Sequence, residues 1–515
     1  MLNIKFSSQN KTYNIKIIFN DNNCNLFFVF ILQYVILQNI HLFTIIAPLL
    51  MGFCAFILKD KCGKYTNHIF VLFLSIITII TIISIYDLNL LKGKTYYIVI
   101  GGWSKAVGIE LKLTLLRIFC SISVLIVAML FFAINLNNEI KYSMRGFACI
   151  MLCGANGMIM TNDIFNQYVF FEIVCITSYI FYSYSDNKEC IKNAFNYMIV
   201  SSFTGVLFLI VAGILYQITG HLNIDLISQN IKELSHNKTL NALYVIFILG
   251  MCFKLGVYPL HNILFSIYKN LHPRYLSLVS GISAIVYPFF ILKFTIMLFG
   301  EGIINNNEYL DLSLKIFGGI GFAFFSLMAF STDYFLKFVI SLAFAQTSFF
   351  AFCITYLPDK MMIVAIVLSI TSHTILKVCL LGFTKRFGEK CNLYNLKKID
   401  LCNITNKFDK YLLTILVFLI SGMPLSLVFM SKWYSLFAVI NSSKSILWLI
   451  AVLIGFAIDI IACFAVIMRI LTKNNQSSIP LELNKDYLLK IIFIITILLL
   501  IISTFYVGSF KLSQI

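Results

Sequence analysis

Long apolar runs dominate this chain and restrict what it can fold into. Runs lie near residues 41–58, 69–87, 113–134, 146–161, 164–184, 194–218, 241–263, 275–298, 313–331, 335–357, 361–383, 411–440, 446–470 and 487–510. A helix crossing the hydrocarbon core of a bilayer needs roughly 20 apolar residues. In lipid every backbone N–H and C=O must find its partner inside the protein, which favours helices. The pattern therefore predicts an all-α polytopic membrane protein with about 14 transmembrane helices. Composition agrees, with 60% hydrophobic and 12% charged residues, where a soluble domain is about a quarter charged. The segment 25–40 is also apolar and reads as an extra helix or an extension of the first. Residues 1–24 are polar and mixed, without a small-residue cleavage site. They read as a disordered tail or a misplaced start, not a signal peptide.

A net charge of +17 raises the question of nucleic acid. The basic residues, however, are scattered over loops and form no basic face interleaved with stacking aromatics. With the N-terminus outside and each run crossing once, 21 of the 39 basic residues fall in inside loops and 13 outside. That bias places both termini outside and the 384–410 connection in the cytoplasm. The chain is thus expected in the cell inner membrane, multi-pass, with no nucleic-acid partner. Its 14 cysteines include no C-x-x-C pair and read as small buried hydrophobes. There is no Walker A loop, no dinucleotide fingerprint, no iron–sulfur framework and no histidine pair for haem. No cofactor and no catalytic residue set are expected.

Five basic residues remain within or at the edges of the runs: Arg117, Lys254, Lys293, Lys377 and Lys432. Arg117 and Lys293 lie near run ends and are expected to snorkel to the headgroups. The others lie deeper, as does the acid Glu172 in NQYVFFEIVCITSYIF (166–181). An ionised side chain at a helix centre costs about 2.5–3.5 kcal/mol on insertion scales. Such groups persist where they meet a partner, a cavity or a substrate path. Glu172, Lys254, His373, Lys377 and Lys432 are therefore a candidate proton relay. Each, taken singly, also reads as a satisfied structural group. His373 and Lys377 are four apart, on one helical face. A lysine in that position repels metals, so no metal site is expected.

Two of the seven prolines accompany these lysines. Pro259 follows Lys254 by five residues, and Pro424 precedes Lys432 by eight. Each is expected to break its helix. Two interrupted helices in corresponding parts of two halves point to an inverted-repeat transporter.

Five segments carry a resemblance: TNDIFNQYVFFEIVCITSYIF (161–181), NAFNYMIVSSFTGVLFLIVAGILYQITG (193–220), CFKLGVYPLHNIL (252–264), SHTILKVCLLGF (372–383) and GMPLSLVFMSKWY (422–434). In order and spacing they resemble the antiporter-like membrane subunits shared by Mrp-type multisubunit cation/proton antiporters and respiratory complex I. GGW at 101–103, GIEL at 108–111 and SKWY at 431–434 are most similar to the D-type subunits of the Mrp branch. The resemblance implies two inverted five-helix repeats, with the seventh and twelfth helices broken. It divides the chain into a tail (1–40), three N-terminal helices (41–140), a first half (141–300), a second half (301–475) and a last helix (476–515).

By matching motif, Glu172 and Lys254 are the charged pair of the first half. His373 and Lys377 form the central relay, and Lys432 is the outlet of the second half. The implied function is proton translocation within a Na+/H+ antiporter, alongside other hydrophobic subunits. Two alternatives stand beside it: a proton-pumping subunit of an NADH:quinone oxidoreductase, and a structural subunit with weakened transport. The chain departs from the family pattern at Asn162, where the family has glycine, and at Thr114, where it has an acid. Ile285 stands in place of an eighth-helix lysine, with Lys293 or water as a substitute, and Asp459 is an unexpected acid.

Overall fold

The computed structural model describes residues 3–8, 11–16, 39–58, 65–88, 90, 93–136, 140–184, 188–232, 238–299, 307–391, 407–442, 446–472 and 487–509. Among these, seventeen helices form the body. The first three are α1 (Ile40–Leu58), α2 (Thr66–Asp87) and α3 (Leu115–Ile134). Next come α4 (Tyr142–Met160), α5 (Ile164–Ser183), α6 (Lys188–Thr219) and the short α7 (Ile224–Lys232). Then follow α8 (Lys238–Leu255), α9 (Asn262–Asn270) and α10 (Pro273–Lys293). The second half holds α11 (Glu308–Ser331), α12 (Phe335–Ile354) and α13 (Lys360–Cys391). The last are α14 (Lys407–Ile420), α15 (Leu427–Asn441), α16 (Ile446–Leu471) and α17 (Tyr487–Ser509).

Eleven of the described helices are long and apolar enough to cross a membrane; Leu42–Ile57, Leu427–Asn441 and Lys490–Ile501 are apolar but shorter. The chain is a multi-pass, almost wholly helical membrane protein. Two antiparallel hairpins depart from the all-helical expectation. One pairs β1 (Asn3–Ser8) with β2 (Lys11–Lys16), inside the stretch read as a disordered tail. The other pairs β3 (Tyr96–Val99) with β4 (Glu110–Leu113). The apolar segment at 25–38 and residues 392–406 of the long connection lie outside the described residues.

Burial decides where polar groups can be tolerated. The spanning parts of α10 and α13 are each 94% buried, against 33% for α2 and 39% for α6 and α16. α10 and α13 pack on each other and on α3, with α15 against α13. The outer helices present large apolar side chains such as Leu72, Phe203 and Ile461, the surface expected of a chain bounded by lipid or by other hydrophobic subunits.

Both runs expected to break do so, as α8/α9 and α14/α15. The residue that turns the chain is in each case a glycine, not the proline. Gly256 has φ +66° and Gly422 φ +79°, a region glycine enters without steric cost. At the first break Gly256 N–H bonds Phe253 O (3.1 Å) and Val257 N–H bonds Cys252 O (3.0 Å). These are the two closing bonds of a Schellman cap. Pro259 and Pro424 lie in the irregular segments that follow, where a missing N–H is harmless.

Candidate functional site

Four of the five relay candidates are buried in the interior, and Glu172 is half-buried. Lys254 ends α8, and its ammonium donates to Cys175 Sγ (2.9 Å), to Tyr179 Oη (3.4 Å) and to Ser201 Oγ. It also lies 4.8 Å from the centre of the Phe171 ring, a favourable site for a cation. The expected ion pair with Glu172 is not made. The ion pairs of the described residues lie elsewhere. Glu172 instead rests against Gly205 of α6, where a Cβ would collide with its carboxylate oxygen. The reason is direction. The lysine reaches along α5 to Cys175 and Tyr179, one and two turns beyond Glu172, while the acid turns toward α6. The two charges still act on each other electrostatically. The lysine nitrogen is held by Cys175, Tyr179 and Ser201 rather than by the carboxylate.

Lys254 and Lys377 line one small cavity, with room for about one water. Its walls include Ser280, Ser283, Ala284 and Tyr287 of α10, Tyr268 of α9 and Thr347 of α12. Lys377 donates to the Ser280 carbonyl (2.8 Å), while the Ser280 hydroxyl has no partner among the described residues. The lining is mostly apolar, and the polar groups of Lys254, Ser280, Ser283, Tyr287 and Lys377 supply the two to four partners that a water needs. Ile285, in place of the family lysine, is fully buried and does not line the cavity. Ser283 and Tyr287 flank the opening instead.

His373 lies one turn before Lys377 on α13, buried, and within electrostatic reach of both Lys377 and Lys432. Lys432, on α15, turns back to the end of α14, where it donates to the Ser421 carbonyl (2.8 Å). It also pairs with Asp459 of α16 at 2.7 Å. Asp459 is visible in the sequence only as an unexpected acid; its partner is Lys432. The other contacts missed by sequence reasoning come from Cys175, Tyr179, Ser201, Ser280 and Tyr287. Polar residues on apolar helices are their only available signal.

Arg117 and Lys293 do not snorkel; both are fully buried. Arg117 donates to Met160 O (2.9 Å), Thr161 O (3.2 Å) and Asn162 Oδ1 (2.9 Å). Lys293 donates to Thr161 O and to Gln167 Oε1 (2.7 Å). Together they cap the C-terminal carbonyls of α4, the negative end of its dipole. Lys293 therefore does not replace the missing lysine. Asn162 also donates to Glu110 (2.8 Å), as does Asn223 (2.6 Å). The acid of this corner is thus Glu110 on β4, while Thr114 caps α3.

At the surface of the same corner Asp225 pairs with Lys112 (3.1 Å) and Lys105 (3.4 Å). Burial acts to raise the Asp225 carboxyl, but the two lysines outweigh it and hold it below its usual range. The contribution to stability is complete above the unfolded carboxylate value of about 3.9. It is lost as pH falls through the lower folded value. Proteolysis in the β3–β4 loop is accordingly expected to rise only in strong acid. Asp225→Asn is expected to raise cleavage already at neutral pH and to remove the acid step. Equal cleavage of both proteins at neutral pH would count against this account.

Residues 161–457 match the family described as NADH:quinone oxidoreductase/Mrp antiporter, TM. The chain belongs to this family. The matched region holds every relay candidate and both broken helices. Among curated relatives, the D-type Na+/H+ antiporter subunit of Alkalihalophilus pseudofirmus is 25% identical over 360 residues, covering 69% of this chain and 72% of that protein. The fold is shared with a chain of the membrane-bound sulfane sulfur reductase, an archaeal respiratory membrane complex. That likeness has TM-score 0.79 and 19% identity over 92% of this chain and 96% of the other. It is also shared with a chain of the Mrp complex from Dietzia sp. DQ12-45-1b, with TM-score 0.72 and 14% identity over 87% and 82%.

Proposed function

We propose that this family member is the proton-translocating membrane subunit of a multisubunit Na+/H+ antiporter. It would work in the inner membrane beside other hydrophobic subunits. The observation that carries the reading is the small cavity shared by Lys254 and Lys377. Protons pass from the Glu172–Lys254 end through water held by Ser283, Tyr287 and Ser280 to Lys377, and on through His373 toward Lys432. Approach of Glu172 to Lys254 favours the protonated amine; separation releases its proton into the cavity. One charge crossing 100 mV is worth about 2.3 kcal/mol, so pair rearrangements of that order couple to the membrane potential. The two glycine-turned breaks support a division into two inverted halves, 141–300 and 301–475. The similarity to a relative named as a Na+/H+ antiporter subunit supports sodium as the exchanged ion.

The test is purification of the whole complex in mild detergent, followed by sodium-driven proton flux in reconstituted vesicles. Co-purifying hydrophobic subunits and sodium-dependent flux are expected. Flavin and iron–sulfur subunits with no sodium-driven flux would move the reading to a redox-driven proton pump, the other branch of the family's description.

A further inference from the structure

We infer that Asp459 and the Ser421 carbonyl form a monovalent-cation site, which the Lys432 ammonium fills in this structure. The inference rests on the antiporter reading and adds to it a place where the exchanged cation binds. The Lys432 nitrogen occupies the position a bound cation would take. It lies 2.7 Å from Asp459 Oδ2 and 2.8 Å from the Ser421 carbonyl, with the face of Phe456 5.0 Å from it. Ser421 follows the last residue of α14, so its carbonyl belongs to the negative end of that half-helix. Carbonyls at broken-helix ends, together with a carboxylate, are hard oxygen donors of the kind that hold sodium at membrane depth.

The surrounding backbone is built for close approach. A Cβ on Gly422 would lie 2.9–3.0 Å from the end of the Lys432 side chain. Leu425, four residues after Ser421, holds φ +75° and is 62% exposed. A non-glycine residue in that region is strained, and such strain collects at functional segments.

Charge accounts for exchange. With Lys432 protonated, the ammonium and Asp459 neutralise each other. When Lys432 gives up its proton, Asp459 is left as a buried anion, and one sodium ion restores neutrality. The proton leaves on the outlet side, away from His373 on α13, the titratable group of the relay within electrostatic reach of Lys432. Asp409 of α14 and Lys490 of α17 are committed to each other at 2.8 Å. One proton leaves as one cation enters, and no net charge is buried.

The experiment uses the whole complex in vesicles, with flux recorded against sodium concentration, and sodium-22 binding to the purified complex. Asp459→Asn is expected to raise the half-saturating sodium concentration at least tenfold, or to abolish flux with loss of bound sodium. Asp459→Glu is expected to restore binding. Wild-type half-saturation in Asp459→Asn, or lost flux with undiminished sodium binding, would reduce Asp459 to a lock on Lys432 and overturn the inference. If the wild-type complex itself shows neither sodium-driven flux nor sodium binding, the antiporter reading falls, and the site with it.

Discussion

Lys254→Met is expected to yield a complex that assembles but moves protons at about one hundredth of the wild-type rate or less. Proton-transfer groups contribute 10²–10⁴-fold when positioned at the step they serve. Lys254 is the one cation lining the first-half end of the cavity. Its ammonium contacts Cys175, Tyr179, Ser201 and the Phe171 ring. None of these is a second lysine or a carboxylate, so none restores the lost charge. Methionine fills a similar volume, and loss of the charge leaves no buried carboxylate in direct contact without its partner. Assembly is therefore expected to survive. Glu172→Gln tests the other member of the separated pair. The amide keeps the shape against Gly205 but not the charge, and coupled transport is expected to fail with expression intact. Near-normal flux in either variant would remove the first half from the path.

Ala284→Leu is expected to slow transport by closing the water path while leaving both lysines in place. Ala284 lines the cavity between them and is only partly buried. The added carbons fill a space with room for about one water, so some overpacking strain, about 1–3 kcal/mol in a filled core, accompanies the change. They exclude water from the space lined by Ser280, Ser283 and Tyr287. The expected result is a flux loss of about tenfold or more, equal to about 1.4 kcal/mol or more of added barrier. Ser283→Ala makes the informative contrast. It removes one hydroxyl and enlarges the cavity, so water remains and the loss should stay within a few-fold. Similar flux from Ala284→Leu and wild type, at equal assembly, would show that the cavity lies off the route.

The membrane class is legible because bilayer thickness sets the length of apolar run that composition then reveals. The breaks are legible through Pro259 and Pro424, although the turning residues are Gly256 and Gly422. A glycine in an apolar run gives no sign of its φ until the chain is folded. Buried charges are legible one at a time, because each is costly in lipid. Their partners are not, since partnership depends on which helices pack. That is why Arg117 and Lys293 read as snorkelling residues when they cap α4, and why Asp459 stands without a role. It is also why Glu172 and Lys254 are expected in contact. Their proximity follows from the fold, whereas their separation is a matter of side-chain direction. The consequence of Ile285 is not readable from one chain. Only the packing of α10 against α12 and α13 shows that a small cavity lined by Ser283, Ala284 and Tyr287 lies nearby.

A single proton path through Lys254 and Lys377 in series makes a specific demand on paired substitutions. The deciding experiment is sodium-driven proton flux in vesicles carrying Lys254→Arg, Lys377→Arg or both. In series, the double variant is expected to run close to the slower single variant, because one slow step limits the whole path. If each single variant keeps a substantial share of the flux and the double abolishes it, the two lysines serve separate routes, and the shared cavity is not the conduit.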